Sequence, residues 1–243
     1  MSIEILNEHR QLWNKKPSLR AIYSDYYRRI VNQCIKGRSL EIGGGTGNLK
    51  DYLGEVISTD IVLNSWLDAA VDAHSLPFKN ESFGNIVGVD ILHHIERPHR
   101  FLAEAERVLQ PGGRIIFVEP AITPASWAFY NFAHPEPVDM SVNPLEDGSL
   151  DPNRKPFDSN QAIPSLLFAK YRKQTESAFP LLKLINLEYI SFFVYPLSGG
   201  FRSWSLIPSF LISPVLRFEN AIAPLVGKCM AFRLFVVIEK RAG

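Results

Sequence analysis

The chain has 243 residues, 46% hydrophobic and 21% charged, enough for one large domain around its own core. A formal net charge of +1 excludes a global field that recruits nucleic acid or an acidic membrane, so partners are chosen by local surfaces. Two cysteines far apart, Cys34 and Cys229, exclude a paired-cysteine metal framework and suit a reducing compartment as ordinary buried thiols. Charges in MSIEILNEHRQLW and the lack of 18 uninterrupted apolar residues lead to the expectation of a soluble, cytoplasmic protein.

Residues 1–37 read as two helices, with Leu19, Ile22, Tyr26, Ile30 and Cys34 three or four apart and Gly37 as a left-handed stop. SLEIG, EVISTD, NIVGVD and RIIFVE are short β-branched runs, each closing on an acid or a glycine. Between the last two, a helix is predicted from Pro98 to Leu109, its stripe formed by Phe101, Leu102, Ala105, Val108 and Leu109, and PGG at 111–113 stops it. Strands alternating with helices predict an α/β fold with a doubly wound parallel sheet. Residues 120–164 hold eight prolines, so no long regular element is expected there and the stretch reads as a lid or binding loop. A helix with Leu167, Tyr171 and Phe179 follows, and LEYISFFVYPL and MAFRLFVVIEK read as the last two strands. Between these strands, residues 204–226 are apolar but interrupted by Pro208, Pro214, Pro224, Arg217 and Glu219. This argues against a spanning helix and for burial under the lid, with a dimer or membrane-surface contact as the alternatives if the surface is exposed.

SLEIGGGTG at 39–47 puts glycines at 43, 44, 45 and 47, where a buried strand turns into a helix starting near Asn48. A ligand reaches main chain only where side chains are absent, and glycine also permits positive φ. The spacing is not the Gly-x-Gly-x-x-Gly of a dinucleotide loop, and Glu41 two positions earlier suits a ligand carrying an ammonium group better than a pyrophosphate. Asp60, at the end of the next strand, lies 17 positions after Gly43, close to the spacing of an acid that grips ribose hydroxyls.

EIGGGTG resembles motif I of the class I S-adenosylmethionine-dependent methyltransferases, in the methyltransferase-11-like small-molecule branch. VDAHSLPF at 71–78, VDILHHIERP at 89–98 and LQPGGRIIFVEP at 109–120 resemble that family's later segments, and the likeness covers about a third of the chain. The resemblance implies a Rossmann-like sheet of seven strands, mostly parallel with an antiparallel last pair. It divides a single methyltransferase domain into a helical cap (1–37), a cofactor-binding core (38–120), an inserted lid (121–180) and final strands (181–243) with an apolar insertion at 201–228. It implies S-adenosylmethionine as cofactor, S-adenosylhomocysteine as product, and methyl transfer to an oxygen or nitrogen of a small or lipid-linked acceptor. By the same resemblance Glu41 meets the cofactor's amino group, and Gly43, Gly44, Gly45 and Gly47 cradle its methionine part. Asp60 holds the ribose, Ile61 lies on the adenine face, Asp72 and Ala73 meet the adenine edge, and Asp90 and Ile91 face the methionine end. Two departures stand out. Only 12 positions separate Asp60 from Asp72, so the crossover between the second and third strands is shortened, and Gly84 stands where the family commonly has an acid.

Methyl transfer is an in-line displacement that alignment alone accelerates greatly, and a base matters only for a hydroxyl or protonated amine acceptor. His94, His93 and Glu119 are the candidate catalytic groups, each with a packing role as the alternative. Tyr23, Trp127, Tyr130 and His134 are the candidate acceptor contacts, and no spacing of His and carboxylates implies a metal. The acceptor is a small molecule or lipid-linked group, with no nucleic acid partner and a monomeric or homodimeric state. Two other readings remain open: a catalytically silent cofactor-binding sensor or partner subunit, and a nucleotide-dependent oxidoreductase or sugar-nucleotide enzyme, which Glu41 and the glycine spacing disfavour.

Overall fold

Residues 2–242 are described by the computed structural model. Seven strands pair into one sheet: β1 (Ser39–Glu41), β2 (Val56–Asp60), β3 (Ala69–Ala70), β4 (Phe83–Val89), β5 (Leu109–Pro120), β6 (Leu182–Ile190) and β7 (Arg233–Lys240). Their order is β3-β2-β1-β4-β5-β7-β6. The first five are parallel, and β7 runs antiparallel to both β5 and β6. The chain moves outward from β1 to β3 on one side and resumes at β4 on the other, so the strand order reverses between β1 and β4. In open α/β sheets the crevice at the carboxyl ends of such strands is where ligands bind.

Both faces of the sheet are covered, and side-chain alternation decides what each face packs against. Along β5, Ile115 and Phe117 join one core with Phe101, Leu102, Ala105 and Val108 of α3 (Pro98–Val108). Ile116 and Val118 point the other way, onto Leu19, Ile22, Tyr26 and Ile30 of α2 (Pro17–Gln33), which follows α1 (Ser2–Lys15). These side chains are almost wholly buried, and each Val, Leu, Ile or Phe among them is worth about 1.5–3 kcal/mol of transfer free energy. The crossover from β2 to β3 is a string of turns without a helix, as its length requires, with Asn64 Oδ1 accepting from the amides of Trp66 and Leu67. Gly84 has a steric reason: a Cβ there would lie 3.2 Å from the Lys36 carbonyl oxygen and 3.3 Å from Gly37 Cα, where two backbones pass closely. Gly37 has φ +137 but stands past the end of α2, which stops at Gln33.

Four expectations fail. The proline-rich stretch holds a regular helix, α4 (Pro124–Ala133), because Pro124 takes the first turn, where a missing N–H costs nothing, and Thr123 and Ser126 form a reciprocal cap. The strand expected at 187–197 is displaced: β6 covers Leu182–Ile190 and the aromatic run beyond it turns into α7 (Val194–Ser198). The interrupted apolar segment is a continuous 22-residue helix, α8 (Ser209–Met230), with Pro214 and Pro224 inside it. Each proline removes only one main-chain bond, and packing of Ile212, Leu216, Glu219 and Gly227 holds the helix on the protein. Gly227 sits so close to β6 that a Cβ would fall 2.8 Å from Tyr189 Cβ. Cys229, expected to be buried, is exposed, whereas Cys34 is partly buried and burial pushes its thiol up to about 11. The rest of the insertion is irregular until α5 (Ile163–Ser165), a π-helical turn (Leu166–Lys170) and α6 (Arg172–Ala178).

Glu219 joins α8 to the edge of the sheet. Its carboxylate is buried and accepts from the amides of Phe192 (3.1 Å), Phe193 (2.6 Å) and Val194 (2.7 Å), the donors that open α7. Glu219→Ala leaves these donors buried without a partner and is expected to lower unfolding free energy by about 3 kcal/mol, read by urea denaturation. A change below about 0.5 kcal/mol would show that the tether is not structural.

Candidate active site

A cavity of about 360 Å³ opens at the carboxyl ends of β1, β2 and β4, within the size range of small-molecule sites. Its floor is the glycine loop. Gly43 (φ +66) lies against Ile91, and a Cβ there would come within 2.5 Å of Ile91 Cδ1, so no other residue fits. Gly47 (φ +76) opens a single 3₁₀ turn over Asn48–Asp51 and is backed by Trp66, whose Nε1 donates to the Gly45 carbonyl (2.8 Å). Asp60 ties the loop to β2, its two oxygens accepting from the amides of Gly45 (3.0 Å) and Val62 (2.9 Å). Burial pushes the Asp60 carboxyl up despite these bonds.

Glu41 stands apart from the other acids of the site. It is 5% exposed, it lines the cavity, and its Oε2 has no hydrogen-bond partner. Burial pushes its carboxyl up to about 7. An acid at that value ionises readily when a cation enters beside it.

The opposite wall is built around Glu119, which ends β5 and is fully buried. One oxygen accepts from the amides of Ile91 (2.9 Å) and Leu92 (2.7 Å), fixing the turn Leu92–His94, and the other meets His93 Nδ1 at 2.9 Å. His93 Nε2 lies 3.5 Å from Glu136 Oε2. Burial disfavours a charged His93, but hydrogen bonds and charges from Glu119 and Glu136 outweigh it and raise the ring to about 9. Glu136 opposes burial in the same way and is held well below the usual carboxylate range by His93. His94, beside this charged ring, is pushed down to about 4 by burial and by His93, so it is neutral at pH 7. Its Nδ1 faces the Asp158 carbonyl oxygen (3.3 Å). With Nδ1 donating there, the Nε2 lone pair is free. Donor atoms of His93, His94 and Glu136 lie within 4.8 Å of one another. This grouping was not visible as a ligand spacing in the sequence, because Glu136 comes from the insertion. Glu136 Oε2 already accepts from Ser159 (3.0 Å) and from Gln161.

A third cluster centres on Arg233, 3% exposed, in β7. Its guanidinium reaches Asp90 (3.2 Å) and the Tyr130 hydroxyl (3.1 Å), and lies 3.9 Å from the centre of the Tyr195 ring. Asp90 has φ +55, rare for a residue with a side chain, and accepts from the Tyr23 hydroxyl (2.8 Å).

Of the residues singled out in the sequence, Glu41, Gly43, Gly44, Gly45, Asp60, Ile61, Asp90, Ile91, His93, His94, Tyr23 and His134 line the cavity together. Gly47 supports the loop from behind. Asp72 and Ala73 do not line it: Asp72 is turned onto Nδ1 of His74 (2.6 Å), whose Nε2 accepts from the Arg97 amide (3.2 Å). Glu119 faces no open space, and its place is that of a positioning residue. Trp127 is exposed away from the cavity, and Tyr130 is buried behind it, donating to the Phe232 carbonyl. Phe129 of the same helix faces the cavity instead. Sequence reasoning missed Glu136, Tyr195 and Arg233. A lone arginine within the β-branched run RLFVVIEK was the available signal for Arg233, since such a charge is buried only with partners.

Residues 40–117 match the family model described as a methyltransferase domain. Over those residues the chain carries a methyltransferase domain, consistent with the class I S-adenosylmethionine-dependent methyltransferases. An uncharacterized protein of Methanocaldococcus jannaschii is 33% identical over 103 residues, covering 39% of this chain and 50% of that protein. The phthiotriol/phenolphthiotriol dimycocerosates methyltransferase of Mycobacterium leprae is 44% identical over 48 residues, covering 20% of this chain and 18% of that protein. The chain thus spans at most half the length of these curated relatives. A methyltransferase from Archaeoglobus fulgidus superposes with a TM-score of 0.53 at 15% identity, over 91% of this chain and 94% of that one, and shares the fold.

The cofactor of the methyltransferase domain is S-adenosylmethionine, and the site fits it on two observations. Loop backbone that a Cβ would obstruct is open to the cavity, and the buried Glu41 lines it with an Oε2 that has no hydrogen-bond partner. Glu41 and the glycine loop would hold the methionine part, and Asp60 with Ile61 the adenosine part. Asp60→Ala frees the loop amides and is expected to weaken cofactor affinity by about 1–3 kcal/mol in calorimetry. An unchanged Kd would remove Asp60 from the site. Glu41→Gln, nearly isosteric, is expected to weaken binding about tenfold or more through the lost charge, and unaltered affinity would show that no cationic group approaches it.

Proposed function

We propose that the chain transfers a methyl group from S-adenosylmethionine to an oxygen or nitrogen of a small or lipid-linked acceptor, leaving S-adenosylhomocysteine. The observation that carries this reading is one cavity with the glycine loop and Glu41 at one side and His94, His93 and Glu136 at the other. The bound cofactor supplies an electrophilic methyl on a sulfonium, whose carbon–sulfur bond breaks as the acceptor lone pair forms the new bond. The chain's part is alignment, exclusion of water and removal of one proton from the acceptor. His94 suits the last task because its ring is neutral and its Nε2 lone pair is unused. His93 is charged at neutral pH and holds Glu136 and the insertion in place, so it is a positioning residue in this reading. The Mycobacterium leprae relative is named for action on dimycocerosates of phthiotriol and phenolphthiotriol, which supports the lipid-linked arm. Both thiols are unpaired, which supports a reducing, cytoplasmic setting.

The test is incubation of the full chain with methyl-labelled cofactor and fractionated cell extract, followed by identification of the labelled compound. A labelled oxygen or nitrogen is expected. Cofactor binding with no label in any fraction would replace this reading by the catalytically silent one. With a hydroxyl acceptor in hand, His94→Ala is expected to lower kcat by about 10²- to 10⁴-fold with little change in cofactor Kd, and an unchanged kcat would clear His94 of the role.

A further inference from the structure

The outer face of α8 has no partner among the described residues. Phe210, Pro214, Phe218, Ala221 and Leu225 follow one another at steps of three or four, the spacing of a single helical stripe, and all are exposed. Phe210 is 77% exposed, Phe218 57% and Leu225 86%. The stripe continues toward the cavity: Leu206 is 73% exposed and donates its amide to the Leu197 carbonyl (2.8 Å), and Phe193, Leu197 and Trp204 are also exposed. Trp204 and Pro196 belong to this apolar surface or adjoin it, and both line the cavity. The apolar face and the cavity mouth therefore share a rim.

Charge separates the possible occupants. Across residues 199–230 the exposed charges are Arg202, Arg217 and Lys228, all basic, and the single carboxylate of that stretch, Glu219, is buried. A second copy of this face would oppose like charges, whereas a bilayer containing anionic lipid would meet both the apolar stripe and its basic flanks. The helix is long enough to cross a membrane, with a mean hydropathy of 1.2, but its inner face is occupied. Glu219 there binds three main-chain amides, and Gly227 abuts β6. Pro214 and Pro224 also leave main-chain carbonyls one turn back without an amide donor, tolerable among hydrated headgroups and costly in hydrocarbon.

We propose that α8 and the adjoining Leu197–Leu206 rim lie on an anionic lipid surface, with the cavity mouth facing the bilayer. For the acceptor this rests on the methyl-transfer reading and narrows it to an amphiphilic molecule drawn from that surface. Docking itself does not depend on that reading.

The full chain is sedimented with vesicles of phosphatidylcholine alone and of phosphatidylcholine with phosphatidylglycerol in equal parts, at low and high salt. Its mass in solution is read by light scattering. Binding is expected only to the anionic vesicles, weaker at high salt, and reduced at least about tenfold in the double variant Phe218→Glu, Leu225→Glu. Calorimetry with S-adenosylmethionine on the same preparations shows that the variant is folded and tests the cofactor site separately. Absence of vesicle binding, equal binding by the variant, or a wild-type dimer that the variant dissociates would each overturn the proposal, leaving the methyl-transfer reading to stand or fall on its own assay.

Discussion

A carboxyl group buried without a partner is the feature around which the rest of the site is organised. Glu41 ends β1 two residues before the glycine loop, its Oε2 has no hydrogen-bond partner, and the nearby Ser58 and Lys50 offset its burial only in part. Taking an ionised carboxylate out of water costs several kcal/mol unless a cation or donors replace the solvent. The chain meets this cost by leaving the acid near half-protonated at neutral pH. The positive-φ glycines that follow, Gly43 and Gly45, then expose main chain to the same space. A cationic ligand beside Glu41 would favour its ionised form and would fit the room that the missing side chains leave.

The two buried acids at the ends of β5 and in α8 do a different job. Glu119 with one oxygen and Glu219 with both accept from successive main-chain amides that begin a turn of helix, Ile91–Leu92 in one case and Phe192–Val194 in the other. Both brace a cavity wall: one presents His93 and His94, the other carries Tyr195 and the rim. Through His93, Glu119 also reaches the insertion, since Glu136 closes the line of charges. The insertion is thus held to the His93–His94 wall by alternating charge, together with the bonds from Arg154 to the His94 carbonyl and from the Asn160 amide to the His93 carbonyl.

What the sequence made legible was local in origin. The glycine loop, Asp60 and the short crossover before β3 are set by backbone conformation and chain length over a few residues, and pattern alone recovers them. The α3 stripe is equally local. Glu136 and Arg233 acquire meaning only when elements far apart in sequence meet, and neither lies in a repeating pattern. The β6 boundary slipped because Phe192 and Val194 are apolar as core where a helix turn begins, which periodicity cannot distinguish from strand. In α8, two prolines spoke against a helix by propensity, and packing against α2 and β6 overrode them. Asp72 shows the converse: its place in the motif is plain, yet its carboxylate is engaged by His74 and stays off the cavity lining.

The central claim is that Glu41 receives the cationic end of S-adenosylmethionine. Ionisation of an acid held at about 7 in the free protein must then accompany binding. Calorimetry of cofactor binding from pH 7 down to 5, in buffers of different ionisation enthalpy, measures this directly. The account predicts proton release below pH 7 and a Kd that rises toward roughly tenfold per unit as pH falls, both lost in Glu41→Gln. Binding of equal strength at pH 5 and 7 with no proton released would contradict it.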